Sequence, residues 1–452
     1  MPVNSSAQTS AVSRWRTTFR ALRHGNFQLF FGGQLISLIG TWMQNIAQAW
    51  LVYRMTHSPV LLGAIGFAGQ IPAFVAAPFG GAVADRWSRH RLVIATQVSS
   101  MILAFILAAL TLTDVVKVWH VFVLALLLGI VNAFDIPARQ AFMVEMVGKE
   151  DLMNAIALNS SMFNGARIIG PAVAGILVAK IGEGWCFFAN AISYIAVIAG
   201  LLLMSVHSPA RAAAGTALDN IVEGFGFVRS AIPIRDLMLL LGLVSLVAMP
   251  YSVLMPIFAD EILHRGANGL GILMGATGVG ALLGALSLAA RSGLRGVGRL
   301  IGISALFFGA SLIAFAWSRS FWLSAGLLVP VGFFMMSQTT SSNTLIQAMV
   351  PDHLRGRVMA VYTMMFMGMA PFGSLFAGAL AKPLGAPLTI IIGAIACMGG
   401  ALWFLLRLPA FRVVARQMVL SQGLAGGEPV QEIATTGMIS QPFSRAENEP
   451  QS

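Results

Sequence analysis

Asp135 and Arg167 are charged residues inside otherwise apolar stretches, the first within 118–142 and the second within 155–180. A carboxyl group held away from bulk water can take up and release a proton, and a nearby guanidinium changes how readily it does so. An unpaired arginine at such a depth costs ~3 kcal/mol or more. The two residues lie on successive runs, so they are expected to pair, with Asn132 and Asn164 as neighbours. The pair either couples proton movement to work, which requires it to open during a cycle, or is a fixed structural bridge.

A second group has binding chemistry. Gln34, Ser37, Thr41, Gln44, Asn45 and Gln48 recur at three- and four-residue steps within 27–50 and so form one polar stripe on a helix. In lipid such a stripe must face protein or water. It is either the wall of a central cavity or interhelical hydrogen-bond glue. Phe333, Phe334, Met335, Met336, Met364, Met365, Phe366, Met367 and Met369 cluster in two later runs, with Gln338 and Asn343 as polar handles. Methionine is polarizable and adaptable, as a pocket for varied apolar ligands needs, although the same residues serve as core or lipid-facing filler. The candidate substrate-binding set is Gln34, Thr41, Asn45, Gln48, Asn132, Met336, Gln338 and Met365.

The elements that hold these groups follow from composition. The chain has 452 residues, 57% hydrophobic and 10% charged, with mean hydropathy +0.81. That balance belongs to a polytopic membrane protein. Twelve apolar runs of about 20 residues, from 27–50 to 386–407, are each long enough to cross the hydrocarbon core. Backbone groups in lipid must be satisfied within the segment, so the runs are helices. With the N-terminus inside, twenty Lys and Arg fall in inner segments and six in outer ones, which places both termini in the cytoplasm.

The longest inner loop, 207–236, divides the runs six and six. The expected organisation is a cytoplasmic segment 1–25, a six-helix bundle 26–206, the linker 207–236, a second bundle 237–408 and a disordered cytoplasmic tail 409–452. Within the linker, the stretch Asp219 to Arg235 is predicted to form a short amphipathic surface helix. The stretch before Arg23 is polar and basic, without the apolar core of a cleaved signal.

Several classes are excluded. The net charge of +11 is spread between apolar runs, which argues against nucleic acid as a partner. There is no phosphate-cradling GxxxxGK[ST] loop and no HExxH pair, the seven histidines are scattered, and Cys186 and Cys397 both lie in apolar runs. No enzyme, metal site or cofactor is expected. The expected partners are a small-molecule substrate, protons and membrane lipids, and a monomer is compatible with the pattern.

The halves also repeat. Shifted by 203 positions, Gly170, Ala174, Gly175 and Gly182 fall on Gly373, Ala377, Gly378 and Gly385, and Ala157 falls on Ala360. Parallel halves related by an axis along the membrane normal would give this.

Gly80-Gly81-Ala82-Val83-Ala84-Asp85-Arg86-Trp87-Ser88-Arg89-His90-Arg91 lies between the second and third runs. Its glycines, acid and arginines resemble the signature loop between helices 2 and 3 of the major facilitator superfamily of secondary transporters. The resemblance implies an all-α membrane protein of twelve transmembrane helices in two pseudo-symmetric six-helix halves. It gives Gly81, Asp85, Arg86, Arg89 and Arg91 a gating role, with Asp85 facing the start of helix 11 near Arg355 and Arg357 and Arg139 as a bridge. Topology alone also accounts for the arginines. In the equivalent second-half loop, Gly284 to Arg299, Leu288 stands where an acid would match Asp85.

Gly165 to Gly175, containing Gly170-Pro171-Ala172-Val173-Ala174-Gly175, resembles the helix 5 signature of exporters in the superfamily. Phe19-Arg20-Ala21-Leu22, Asn26-Phe27 and Asp135-Ile136-Pro137-Ala138-Arg139-Gln140 are similar to one bacterial drug and siderophore exporter family, the enterobactin type. That resemblance, over about 15–410, implies alternating access in the bacterial inner membrane, a cavity lined by helices 1, 4, 7 and 10, and export of an amphipathic small molecule in exchange for protons. Helix 1 departs from some proton-coupled exporters in having amides and no carboxylate, which shifts coupling to Asp135. A lipid or metabolite transporter not driven by protons, or a non-transporting membrane sensor, are the alternatives.

Overall fold

Polar groups are scarce and backbone groups must be paired, so the chain folds into long helices. The computed structural model describes residues 20–148, 150–205, 217–291 and 293–421, with side chains at 77–86, 217–221 and 421 excepted. The first six helices are α1 (Gly25–Thr56), α2 (Pro59–Arg86), α3 (Arg89–Leu112), α4 (Val118–Val147), α5 (Leu152–Ile181) and α6 (Glu183–Leu202). A linker helix (Ala217–Ser230) precedes α7 (Ile232–Ile262), α8 (Gly266–Ala289), α9 (Val297–Trp317), α10 (Phe321–Met349), α11 (Asp352–Leu384) and α12 (Ala386–Ser421). Eleven of these helices are long and apolar enough to cross a membrane unaided. The twelfth, α1, spans 32 residues but carries the polar stripe, which lowers its hydropathy.

α12 continues through Ser421, so the disordered tail expected from 409 is helical at its start. Phe404, Leu408, Phe411 and Ala415 are buried at four- and three-residue steps, and Phe411 lies 5.2 Å from Phe404 while approaching Gly298 of α9. This apolar stripe continues the helix past Pro409. Residues 422–452 of that tail lie outside the described residues.

The two halves meet along two seams made by small residues. Gly175 of α5 packs on Gly271 of α8, where an added Cβ would be 3.0 Å from the Gly271 Cα. In the other seam Gly378 of α11 packs on Gly63 of α2, with a corresponding 3.0 Å approach. The partners 175 and 378 are the positions related by the 203-residue shift. Gly170 and Gly373 follow the same rule, the first against Trp42 of α1 and the second against Leu246 and Pro250 of α7. Gly182 and Gly385 cap α5 and α11 with φ +89° and +80°, a conformation that favours glycine. The seams run from the helix ends remote from the termini to about mid-helix, at Ile168–Gly278 and Phe74–Gly368. At the remote end Tyr53 of α1 can donate to Asp260 or Glu261 of α7, at 3.1 and 3.0 Å, so the bundles are tied there too.

The half nearest the termini is held differently. The linker helix docks on the start of α11, with Gly224 against the Arg357 backbone and Glu223 accepting from Arg357.

α7 is the least regular span. Its α-helical start Ile232–Leu243 passes through π turns at 244–248 and 258–262 and a 3-10 stretch at 249–254. Pro250 and Pro256 each remove a backbone donor there, which accounts for the interrupted ladder.

Candidate functional site

Asp135 is the eighteenth of thirty residues in α4 and is 3% exposed. Thr96 Oγ1 and Gln97 Nε2 of α3 donate to its Oδ1 at 2.8 and 2.9 Å, and Arg139, one turn on, places Nη2 3.1 Å from Oδ2. Both carboxylate oxygens are therefore engaged, as a buried charge requires. Tyr194 of α6 lies near this carboxylate and its hydroxyl is 3.4 Å from Thr41 of α1. The polar path thus runs from α1 through α6 to α4 and α3.

The expected Asp135–Arg167 pair is not formed. Asp135 takes Arg139 because the two lie on one face of the same helix at i and i+4. Arg167, sixteenth of thirty residues in α5, sits elsewhere. Its guanidinium stacks over the Trp42 ring of α1 at 5.6 Å, and Nη2 reaches Met335 Sδ of α10 at 4.0 Å. Tyr251, in the 3-10 stretch of α7, lies within its electrostatic reach and beside Thr277 of α8. Ala370 stands in α11 at the position 203 residues on. Asn164, the other expected neighbour of the pair, instead donates to Ser160 O in its own helix at 2.8 Å.

The polar stripe of α1 is divided. Gln34, Ser37 and Gln44 are buried, and Asn190 of α6 donates to Gln44 Oε1 at 2.6 Å. Of the three, Gln44 is glue between helices, while Gln34 Oε1 is buried without a partner. Thr41 and Gln48 are partly exposed and Asn45 is exposed. Asn45 lies nine residues from the exposed Ile36, which puts it half a turn round the helix. Asn132 is partly exposed on α4.

In the second half, Gln338 is fully buried, with Oε1 unpartnered and Nε2 3.5 Å from Ser342 Oγ. Met336 is partly exposed and packs by Gly284 of α8, and Met365 packs on Gly242 of α7. Gln34 and Gln338 therefore pack inside a bundle here instead of lining an open wall, whereas Met365, like Met336, is partly exposed.

Of the gating group, the side chains of Gly81, Asp85 and Arg86 lie outside the described residues. Arg91 is exposed. Arg89 pairs with Glu145 of α4 at 3.0 Å, within the first bundle. Arg139 turns to Asp135, and at the start of α11 Arg355 pairs with Asp352 at 2.6 Å while Arg357 pairs with Glu223. The sequence reading missed Trp42, Tyr251 and the Tyr53–Asp260–Glu261 tie. Their signal is three-dimensional: Trp42 meets α5 from α1 within the first half, and Tyr251 and Tyr53 join helices from different halves.

Relatives agree with this architecture. The staphyloferrin A transporter of Staphylococcus aureus is 27% identical over 362 residues, covering 79% of this chain and 89% of that protein. The multidrug efflux pump Tap of Mycolicibacterium fortuitum is 27% identical over 383 residues, covering 82% and 92%. The enterobactin exporter EntS of Escherichia coli is 25% identical over 412 residues, covering 88% and 96%. Among solved structures, the nucleoside transporter NupG superposes with TM-score 0.65 at 18% identity, covering 84% of this chain and 97% of that one. A bacterial homologue of the lysosomal transporter Spinster, inward-facing and unoccupied, gives TM-score 0.60 at 15% identity, covering 88% and 97%. These structures share the fold. The family model described as transmembrane secretion effector matches residues 16–425, and the chain belongs to that family, a multi-pass transporter group of the major facilitator superfamily.

Proposed function

We propose that this protein exports an amphipathic small molecule of drug or siderophore type across the bacterial inner membrane by alternating access, in exchange for protons. The observation that carries the coupling is Asp135, a carboxylate deep in α4 with a complete set of polar partners. Opening of the Asp135–Arg139 bridge would free the acid for a proton, and its closing would expel that proton. Arg139 thereby links the acid to the gating face, where Arg89 holds α3 to α4.

With both termini cytoplasmic, as the lysine and arginine bias supports, the seams at Gly175–Gly271 and Gly63–Gly378 close the outer side. The described state is then inward-facing. Thr41, Asn45, Gln48 and Asn132, on the exposed part of the polar stripe and on α4, would line the cavity with Met336. Gly81, Asp85, Arg86 and Arg91 would close the inner side in the opposite state. The names of the siderophore and multidrug relatives support export of such compounds.

Substrate-induced proton movement in inside-out vesicles tests the reading, over a panel of dyes, antibiotics and siderophores. Wild type should couple uptake of at least one compound to proton release, and Asp135→Asn should not. Equal coupling in the variant would keep proton exchange and remove Asp135 as the coupling acid, whereas accumulation without proton movement would instead favour a transporter not driven by protons. The closed Asp135–Arg139 bridge is the feature that fits such a second reading.

A further inference from the structure

Arg167 is a mid-membrane cation held only by weak partners. Asp135 has Arg139, Glu145 has Arg89, Glu183 has Arg54 and Asp236 has Arg407. Among the described residues no carboxylate reaches Arg167, whose neighbours are an indole face, a thioether and a phenol. A guanidinium offers five donors in a planar fork suited to a carboxylate, and a π face and a sulfur engage little of that capacity. Its place is also distinctive. Helix α5 carries it, while α1, α7 and α10 supply the neighbours, so both halves meet at one cation. The α5–α8 seam ends beside it, with Gly278 against the backbone of Arg167 and Ile168. A group bound there touches both moving bodies.

We propose that Arg167 docks an anionic oxygen group, a carboxylate or ionised phenol, on the transported molecule, with the apolar body of that molecule lying against Trp42 and Met335. The proposal rests on the export reading and deepens it by naming the substrate class as a small organic acid. The indole already stacks on the guanidinium, so an aromatic acid would meet a charge and a π surface together. A ligand acid would replace the thioether contact with paired charge-assisted hydrogen bonds. The same site would disfavour a cation of equal shape, giving selection by repulsion as well as attraction.

The test is thermal stabilisation of the purified full chain in neutral detergent. Salicylate, 2-naphthoate, citrate and carboxyfluorescein are each compared with the corresponding methyl ester. At least one acid should raise the wild-type Tm at a concentration tenfold below that needed for its ester. Arg167→Gln should erase that difference without weakening the ester. Arg167→Lys, which keeps charge but loses the fork, should retain part of it. Trp42→Leu should weaken the aromatic acids more than citrate, which checks the site with the arginine intact.

The proposal is overturned if wild type favours no acid over its ester. It is also overturned if Arg167→Gln keeps the preference or weakens acid and ester alike. The vesicle assay separates the two readings. Proton-coupled uptake of a cation that is unaffected in Arg167→Gln would leave export standing and remove anion recognition. An Arg167-dependent acid preference without flux would do the reverse.

Discussion

Asp135 and Arg139 in α4, and Gln338 and Ser342 in α10, are separated by the same 203 residues that relate Gly175 to Gly378. In the first half the pair is ionic, with 3.1 Å between its charged atoms. In the second it is a neutral amide and hydroxyl 3.5 Å apart. The seams that join the halves keep their symmetry, glycine on glycine in both. Backbone approach is preserved on both sides of the axis, while at this pair of equivalent positions the titratable groups stand on one side only. The proposed rocking would need matched hinges on either side, but the proposed proton coupling would need only one acid. Arg167 follows the same division, with Ala370 at its counterpart.

The asymmetry is broken most severely at Asp135. Asp135→Asn should lower proton-coupled flux by about a hundredfold, the low end for losing a proton-transfer group. Gln338→Ala, at the equivalent place, should change coupling only slightly, and equal losses in the vesicle assay would remove the assignment of proton work to the first half.

The symmetric part is tested at the seams. Gly175→Val and Gly378→Val each force a side chain into a backbone contact, and overpacking of this kind costs about 1–3 kcal/mol. Both should shift the protein away from the described state to a similar degree, measured by labelling of single cysteines placed near the remote end. A much larger effect on one side would show that the hinges are not equivalent.

Tyr53→Phe removes one hydrogen bond to Asp260 or Glu261 and should loosen the remote end by about 1 kcal/mol. The same labelling should then rise roughly fivefold, as RT ln 5 is about 1 kcal/mol.

The smallest effect is expected at the linker helix. Glu223 is 52% exposed in its side chain, and exposed ion pairs contribute about 0–1 kcal/mol. Glu223→Ala should move the Tm by only a degree or two. A larger drop would mean that the linker helix is part of the moving body.

Much of this was legible in the residues. Hydropathy located the spans because continuous apolar runs of about 20 residues in lipid can satisfy their backbone groups only as helices. The repeat at Gly170, Gly175 and Gly182 was visible, since close backbone approach at the first two and a positive φ at the third admit few residue types. Asp135 was legible as a buried acid, but its partner was not. Arg167 was the nearer guess from successive runs, whereas the helix itself supplied Arg139 at i+4. The stripe of α1 was equally readable as a stripe, yet periodicity cannot say which neighbour it meets. Gln44 meets Asn190, and Asn45 next to it is exposed.

The sequence by itself determined twelve helices and two related halves, because helix period and bilayer thickness are local constraints on a chain, while the resemblance to membrane transporters rested on the loop and helix 5 motifs. Tertiary structure alone decided that Thr96 and Gln97 of α3 close on Asp135, that Arg167 turns to Trp42, Met335 and Tyr251, and that Tyr53 ties the two halves. Those outcomes depend on helix rotation and on irregular turns such as the proline-interrupted α7. Rotation is set by packing between segments far apart in the chain, which no single span encodes.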